Sequence, residues 1–141
     1  MKKILFITPT LARTGSEMVL WYLVKNLDPS KYKIHLFSVQ KGELFEVLPT
    51  HVEKTTSYKY SGSLLKKVVR GILKALGINV LAYQLKQIHR QFKPELWFVN
   101  TIVVPDAHLA ARDLNVKLVT YSHEIDNAFS FIKDFQLQRI L

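Results

Sequence analysis

The chain has 141 residues, 48% of them apolar and 22% charged, which suffices for one well-covered core and excludes a disordered composition. It contains no cysteine, so disulfides and thiolate metal sites are excluded. Its net charge of +9 is localised: Lys54, Lys59, Lys66, Lys67, Arg70, Lys74, Lys86, Arg90 and Lys93 form a block without a single acid, and the other eleven cations are matched by eleven acids. Such a one-signed field attracts phosphate, nucleic acid or an anionic membrane.

Met1-Lys2-Lys3 precedes an apolar run too short for a signal peptide, and Pro9 to Arg13 offers no small-residue cleavage site. No stretch approaches the roughly 18–20 apolar residues that span a bilayer. The expectation is a cytoplasmic chain that does not cross a membrane.

Ile4, Leu5, Phe6 and Ile7 are continuously apolar, as a strand covered on both faces requires, and Pro9 stops the run. The first strand is therefore expected to be central and parallel. Thr14-Gly15-Ser16-Glu17 follows, with Ser16 as the expected cap of a helix whose apolar positions are Val19, Leu20, Leu23, Val24 and Leu27. Glu17 suits the first turn, where the helix dipole favours an acid, and the amides there face any ligand above the sheet. Gly15 offers either a close backbone approach or an ordinary turn.

Asp28-Pro29-Ser30 ends that helix, and Tyr32 to Val39 reads as a second strand, completing a βαβ unit. Lys41-Gly42-Glu43 turns the chain into a short helical stretch, Leu44 to Leu48. Val52 to Tyr58 reads as a third strand. Leu64 to Leu76 is a basic amphipathic helix, with Leu64, Leu65, Val68, Val69, Ile72, Leu73 and Leu76 on one face and Lys66, Lys67, Arg70 and Lys74 on the other. Its apolar face either covers the sheet, leaving the lysines in water, or meets an anionic membrane. Aromatic residues are sparse from Gly62 to Lys93, only Tyr83 and Phe92, which argues against base stacking, and no nucleic-acid partner is expected.

A helix from Val80 to Phe92, with Leu81, Leu85, Ile88 and Phe92 inward, ends at Lys93-Pro94. Leu96 to Val99 is a buried strand, Ala107 to Leu114 a helix whose alanines allow close packing, and Val116 to Tyr121 a further strand. Asn127 to Leu141 is weakly helical. Alternating strands and helices with near-continuous apolar strands predict a single α/β domain with a doubly wound parallel sheet and right-handed crossovers. Ligands of such sheets bind beyond the carboxyl ends of the strands, which selects the loops Thr10 to Ser16, Asn100 to Pro105, and Ser122 to Asp126.

Neither G-x-G-x-x-G nor G-x-x-x-x-G-K-[ST] occurs, which disfavours dinucleotide and P-loop chemistry. His123 and Glu124 follow a strand end, where they could position a hydroxyl or form only a local hydrogen-bonded pair. His35, His51, His89 and His108 lack metal-ligand spacing, and no metal or other cofactor is expected. Ser122 lies in no G-x-S-x-G elbow.

The succession Lys3-Ile4-Leu5-Phe6-Ile7, Thr14-Gly15-Ser16-Glu17 and Leu27-Asp28-Pro29-Ser30-Lys31-Tyr32-Lys33-Ile34-His35-Leu36 resembles the amino-terminal domain of glycosyltransferase family 4, the retaining GT-B enzymes. Lys41-Gly42-Glu43-Leu44, Val99-Asn100-Thr101, His108-Leu109-Ala110-Ala111 and Val119-Thr120-Tyr121-Ser122-His123-Glu124 follow in the order that family uses. The resemblance implies a Rossmann-like domain of an enzyme that moves a sugar from a nucleotide-sugar donor to a lipid-linked or saccharide acceptor with retention. It implies that Thr14, Gly15 and Ser16 face donor phosphates and acceptor, with Asn100, Thr101 and Glu124 on the same substrate side. His123 would lie near the transferred sugar and position it as the catalytic residue. Where the family usually has two adjacent glycines, this chain has Thr14 before Gly15.

The carboxyl-terminal, nucleotide-binding half of such enzymes has no counterpart in this sequence, so a truncated amino-terminal half, inactive alone, is expected. The basic residues Lys66, Lys67, Arg70 and Lys74 would dock it peripherally at the inner face of a membrane. The competing expectation is a noncatalytic α/β binding module that uses the same basic surface for a membrane or another polyanion.

Overall fold

The computed structural model describes residues 1–122. The expected helix Asn127 to Leu141, most of the loop Ser122 to Asp126, and the residues His123 and Glu124 lie outside the described residues.

The continuous apolar run Ile4 to Ile7 forms the middle of β1 (Lys2–Thr8), and it is central as expected. β1 pairs in parallel with β2 (Tyr32–Ser38), placing Ile4 beside Ile34 and Ile7 beside Phe37. On its other side it pairs with β4 (Leu96–Asn100), placing Ile4 beside Leu96 and Ile7 beside Val99. β3 (Glu53–Thr56) lies outside β2 and β5 (Leu118–Tyr121) outside β4, so all five strands are parallel in the order β3-β2-β1-β4-β5.

Helices cover both faces, as parallel strands need. On one face Ile4, Phe6, Ile34 and Leu36 pack against Leu20 and Val24 of α1 (Gly15–Asn26). On the other, Leu5, Ile7, Phe37, Trp97 and Val99 pack against Leu85 of α3 (Val80–Phe92) and Ala107, Ala110 and Ala111 of α4 (Pro105–Asp113). The alanines let α4 lie close to the sheet. Each large apolar side chain so buried contributes roughly 1.5–3 kcal/mol. Asn79 caps α3 by accepting from the Leu81 and Ala82 amides at 3.0 and 3.1 Å, and Lys93 ends it in the left-handed region at φ 53°.

Several local expectations are corrected. Thr14, not Ser16, is the capping residue of α1, because Gly15 is already helical. Its hydroxyl does not cap the backbone: both it and Ser16 Oγ donate to the Glu17 carboxylate, which is 6% exposed. Of the apolar stripe, Leu20 and Val24 are buried, but Val19 and Leu23 are exposed, Leu23 lining an open groove with Leu27, Leu96 and Phe98. The helical stretch after Gly42 is only a 3-10 turn, Glu43–Phe45, and β3 is four residues rather than seven. The end of β3 is tied instead to α3: Gln84 Oε1 accepts from the Tyr58 amide at 2.9 Å and Gln84 Nε2 donates to the Thr56 carbonyl.

The largest departure concerns α2 (Leu64–Ala75), whose apolar face does not cover the sheet. Only Leu73 is buried; Leu64 is 77% exposed, Leu65 73%, Val68 58% and Ile72 54%, with Leu76 just beyond the helix at 68%. The helix rests on the domain through Leu73, the half-buried Val69 and its basic flank: Lys66 lies over the Tyr58 ring and Arg70 Nη1 donates to the Lys59 carbonyl at 3.4 Å. The chain bends by 120° between α2 and α3, and no single helix among the described residues is long and apolar enough to cross a membrane.

Candidate functional site

The chain runs outward from β1 to β2 and β3, then returns to the other side of β1 to form β4 and β5. The junction between β1 and β4 is therefore the point where strand order reverses, and sheets of this kind bind ligands beyond the carboxyl ends of their strands there. Thr8 and Asn100, the last residues of β1 and β4, face each other there, both essentially inaccessible. Asn100 Nδ2 donates to Thr8 Oγ1 at 3.3 Å, and Thr8 Oγ1 donates to the Thr10 carbonyl at 2.8 Å. This links the end of β4 to the loop after β1. Asn100 Oδ1 is buried with no hydrogen-bond donor among the described residues, an expensive arrangement that neighbouring structure must sustain.

Thr101 follows with φ 84°, a value that a β-branched residue rarely adopts. Its amide donates to the Tyr121 carbonyl at 2.8 Å, and its hydroxyl accepts from the Val103 amide at 3.4 Å. The strained turn is thus pinned by β5 and by its own side chain. Strain of roughly 1–3 kcal/mol held this way is concentrated at functional sites.

The loop after β1 is shaped by the loop after β2. Beyond the strands the chains continue side by side: the Val39 amide donates to the Thr8 carbonyl at 2.9 Å, Gln40 to Pro9 at 2.9 Å, Leu11 to the Lys41 carbonyl at 3.1 Å, and Leu44 back to Leu11 at 2.8 Å. Gly42, at φ 76°, lies against this backbone; an added Cβ would fall 2.5 Å from the Ala12 amide nitrogen and closer still to the Leu11 carbonyl carbon. Arg13 Nε pairs with Glu43 at 3.2 Å farther out. Gly15, by contrast, has open space around it and no positive φ.

The predicted residues therefore separate by depth. Thr14 and Gly15 are exposed and Ser16 half-buried at the start of α1, whereas Asn100 and Thr101 are buried at the carboxyl end of β4. Lys66, Lys67 and Lys74 are exposed on α2 and Arg70 is half-buried. Lys59, Arg70 and Lys74 also line a cleft of about 460 Å³ beside Val39 and Ser57, which follow the carboxyl ends of β2 and β3. Thr8 went unread in sequence, Glu17 was read only for its place in the first helical turn, and Gly42 only as part of the turn Lys41-Gly42-Glu43.

His35 and His108 have structural surroundings. His35 Nδ1 lies 3.3 Å from Glu53 Oε2 and its Nε2 2.9 Å from Thr55 Oγ1. Burial pushes the His35 imidazole below its ordinary value of 6.5, a shift that the Glu53 carboxylate opposes. His108, buried in α4, contacts the Val104 carbonyl and Thr120 Oγ1 at 3.2 and 3.0 Å. Among the described residues no three His, Asp or Glu side chains converge in a metal-binding group.

No protein-family model matches the chain, and no curated protein matches it by sequence. Solved structures match it by superposition. Apo UGT2 of Phytolacca americana superposes with a TM-score of 0.50 at 14% identity, covering 98% of this chain and 33% of that one. UDP-GlcNAc 2-epimerase of Methanocaldococcus jannaschii superposes with a TM-score of 0.51 at 15% identity, covering 100% of this chain and 36% of that one. The chain thus shares the Rossmann-like α/β fold of these structures and spans about a third of the length of each.

Proposed function

We propose that this domain is the amino-terminal, acceptor-side half of a glycosyltransferase that moves a sugar from a nucleotide-sugar donor to a saccharide or lipid-linked acceptor with retention. The observation that carries the reading is the construction at the β1/β4 junction. There the Thr8–Asn100 hydrogen bond and the strained Thr101 turn fix the carboxyl ends of β1 and β4, and the loop after β1 leads to the exposed start of α1. Thr14 and Ser16 supply hydroxyls and Gly15 a bare backbone, a surface suited to hydroxyl-rich ligands. The GT-B fold supports the class of chemistry. His123, one position beyond Ser122, and Glu124 complete the acceptor side in this reading, with His123 positioning the transferred sugar. The domain does not turn over alone, because the reading assigns nucleotide binding to a second domain.

The test is amide chemical-shift mapping of the purified chain with monosaccharides, lipid-linked saccharide analogues and nucleotide sugars. Acceptor-type saccharides should move the amides of Thr14 to Ser16 and Thr101, and Thr14→Ala with Ser16→Ala should weaken the response about tenfold, the loss of roughly 1.4 kcal/mol of hydrogen bonding. Turnover by the chain alone would overturn the half-site view. Silence toward every saccharide would overturn the sugar reading and favour a noncatalytic binding module, a possibility that the outward apolar face of α2 also suits.

A further inference from the structure

An amphipathic helix on a soluble domain ordinarily turns its apolar stripe inward. α2 does the opposite. Leu64, Leu65, Val68, Ile72 and Leu76 form a continuous outward stripe, and Val69 and Leu73 make the inward contact. At helical spacing Lys67 and Lys74 border the stripe. Lys66 and Arg70 sit lower, against Tyr58 and the Lys59 carbonyl. The ion pairs among the described residues leave Lys59, Lys66, Lys67, Arg70 and Lys74 without a carboxylate partner.

We infer that α2 is an interfacial anchor that lies flat on an anionic lipid surface. Its leucines, valine and isoleucine enter the boundary between headgroups and acyl chains, while Lys67 and Lys74 rest among the phosphates. Charge selects this occupant. The sequence from Lys54 to Lys93 carries nine cations and no acid, so a second copy docked through the same patch would set like charges together, which is costly. A negatively charged bilayer satisfies both the apolar stripe and its cationic border. The amphipathic helix also has the right dimensions: twelve residues rise about 18 Å, a length that lies along an interface and cannot cross it. The helix borders the cleft beside Val39 and Ser57, which Arg70 and Lys74 line. Docking through α2 therefore holds the carboxyl end of the sheet close to the lipid phosphates. The inference stands on the orientation of α2 and needs no sugar chemistry.

Vesicle flotation of the chain tests it, with phosphatidylcholine alone and mixed with phosphatidylglycerol, across a salt series. The unaltered chain should float with the anionic vesicles only and be released by salt. Lys67→Gln and Lys74→Gln should each weaken partitioning about fivefold, and Leu65→Ser with Ile72→Ser should abolish it, while circular dichroism and the melting temperature stay unchanged because these side chains are exposed. An Ile72→Trp variant should be quenched by brominated acyl chains. Absence of flotation, or equal flotation with neutral and anionic vesicles, would overturn the inference. So would self-association in sedimentation velocity that Leu65→Ser with Ile72→Ser abolishes, since the face would then belong to a second copy. Saccharide mapping at Thr14 to Ser16 is done without vesicles, so either proposal can fail while the other stands.

Discussion

Gly42 lies so close to the Leu11–Ala12 peptide that a side chain of any kind would collide with backbone, and its φ of 76° is one that L-residues resist. The loop that carries Thr14, Gly15 and Ser16 leans on this contact. Gly42→Ala should therefore cost roughly 3–5 kcal/mol, combining a backbone clash with an unfavourable φ. Gly15→Ala, with open space and no positive φ, should change stability by no more than about 0.5 kcal/mol. Urea unfolding of both variants decides it, and a comparable loss at the two positions would show that Gly42 is not the constraint.

Thr101 allows a test of stored strain. Glycine in a strand-end turn ordinarily costs about 0.5–1 kcal/mol, yet at φ 84° it relieves the Cβ. Thr101→Gly should accordingly be neutral or stabilising by up to about 1 kcal/mol, whereas Thr101→Val, which keeps the strain and loses the Val103 contact, should cost about 1 kcal/mol. Thermal unfolding reads both. If Thr101→Gly behaves as an ordinary glycine insertion, the turn holds no strain.

His35 should make the fold acid-sensitive. Burial lowers its folded value below 6.5, so the unfolded chain takes up a proton first as pH falls. Stability from this group is fully present above about 6.5 and is lost as pH falls from there toward the lowered folded value. His35→Gln should flatten the change in urea midpoint between about pH 7.5 and 5.5. Glu53, held below the carboxylate range chiefly by its hydrogen bond from Lys33, contributes a separate loss only below about 4.5. A slope unchanged in His35→Gln would assign the acid response elsewhere.

Gln84 joins α3 to the end of β3 through the Tyr58 amide. Gln84→Met keeps the bulk and leaves that amide without its acceptor, a loss of about 1–3 kcal/mol. Hydrogen exchange at Tyr58 should quicken while exchange in β1 keeps pace only with the global change. Unaltered exchange at Tyr58 would mean that another group satisfies it.

What could be read in sequence depended on whether the cause was local. Ile4 to Ile7 announced a central strand because burial on both faces removes alternation, and the end of the helix Val80 to Phe92 was marked by Lys93-Pro94. Glycine was legible as a residue type but not as a role: Gly15 drew attention beside a helix start, while the need at Gly42 arises from packing against Leu11, far away in sequence. A positive φ at Thr101 is opposed by local preference, so only the surrounding sheet reveals it. Periodicity found the apolar stripe of α2 without giving its direction, because a helical pattern defines a face and leaves open what it meets.

The pairing of β1 with β4 also sets an order of assembly. Thr8 and Asn100, which bond across that junction, stand 92 positions apart. During synthesis at about 5–20 residues per second, the apolar edge of β1 waits on the order of 5–20 seconds for its second neighbour. The first strand of this sheet to be synthesised is thus among the last to be enclosed. Its Leu5-Phe6-Ile7 segment is the place where a nascent chain, paired on one side only with β2, is open to capture by a chaperone or by another unfinished copy.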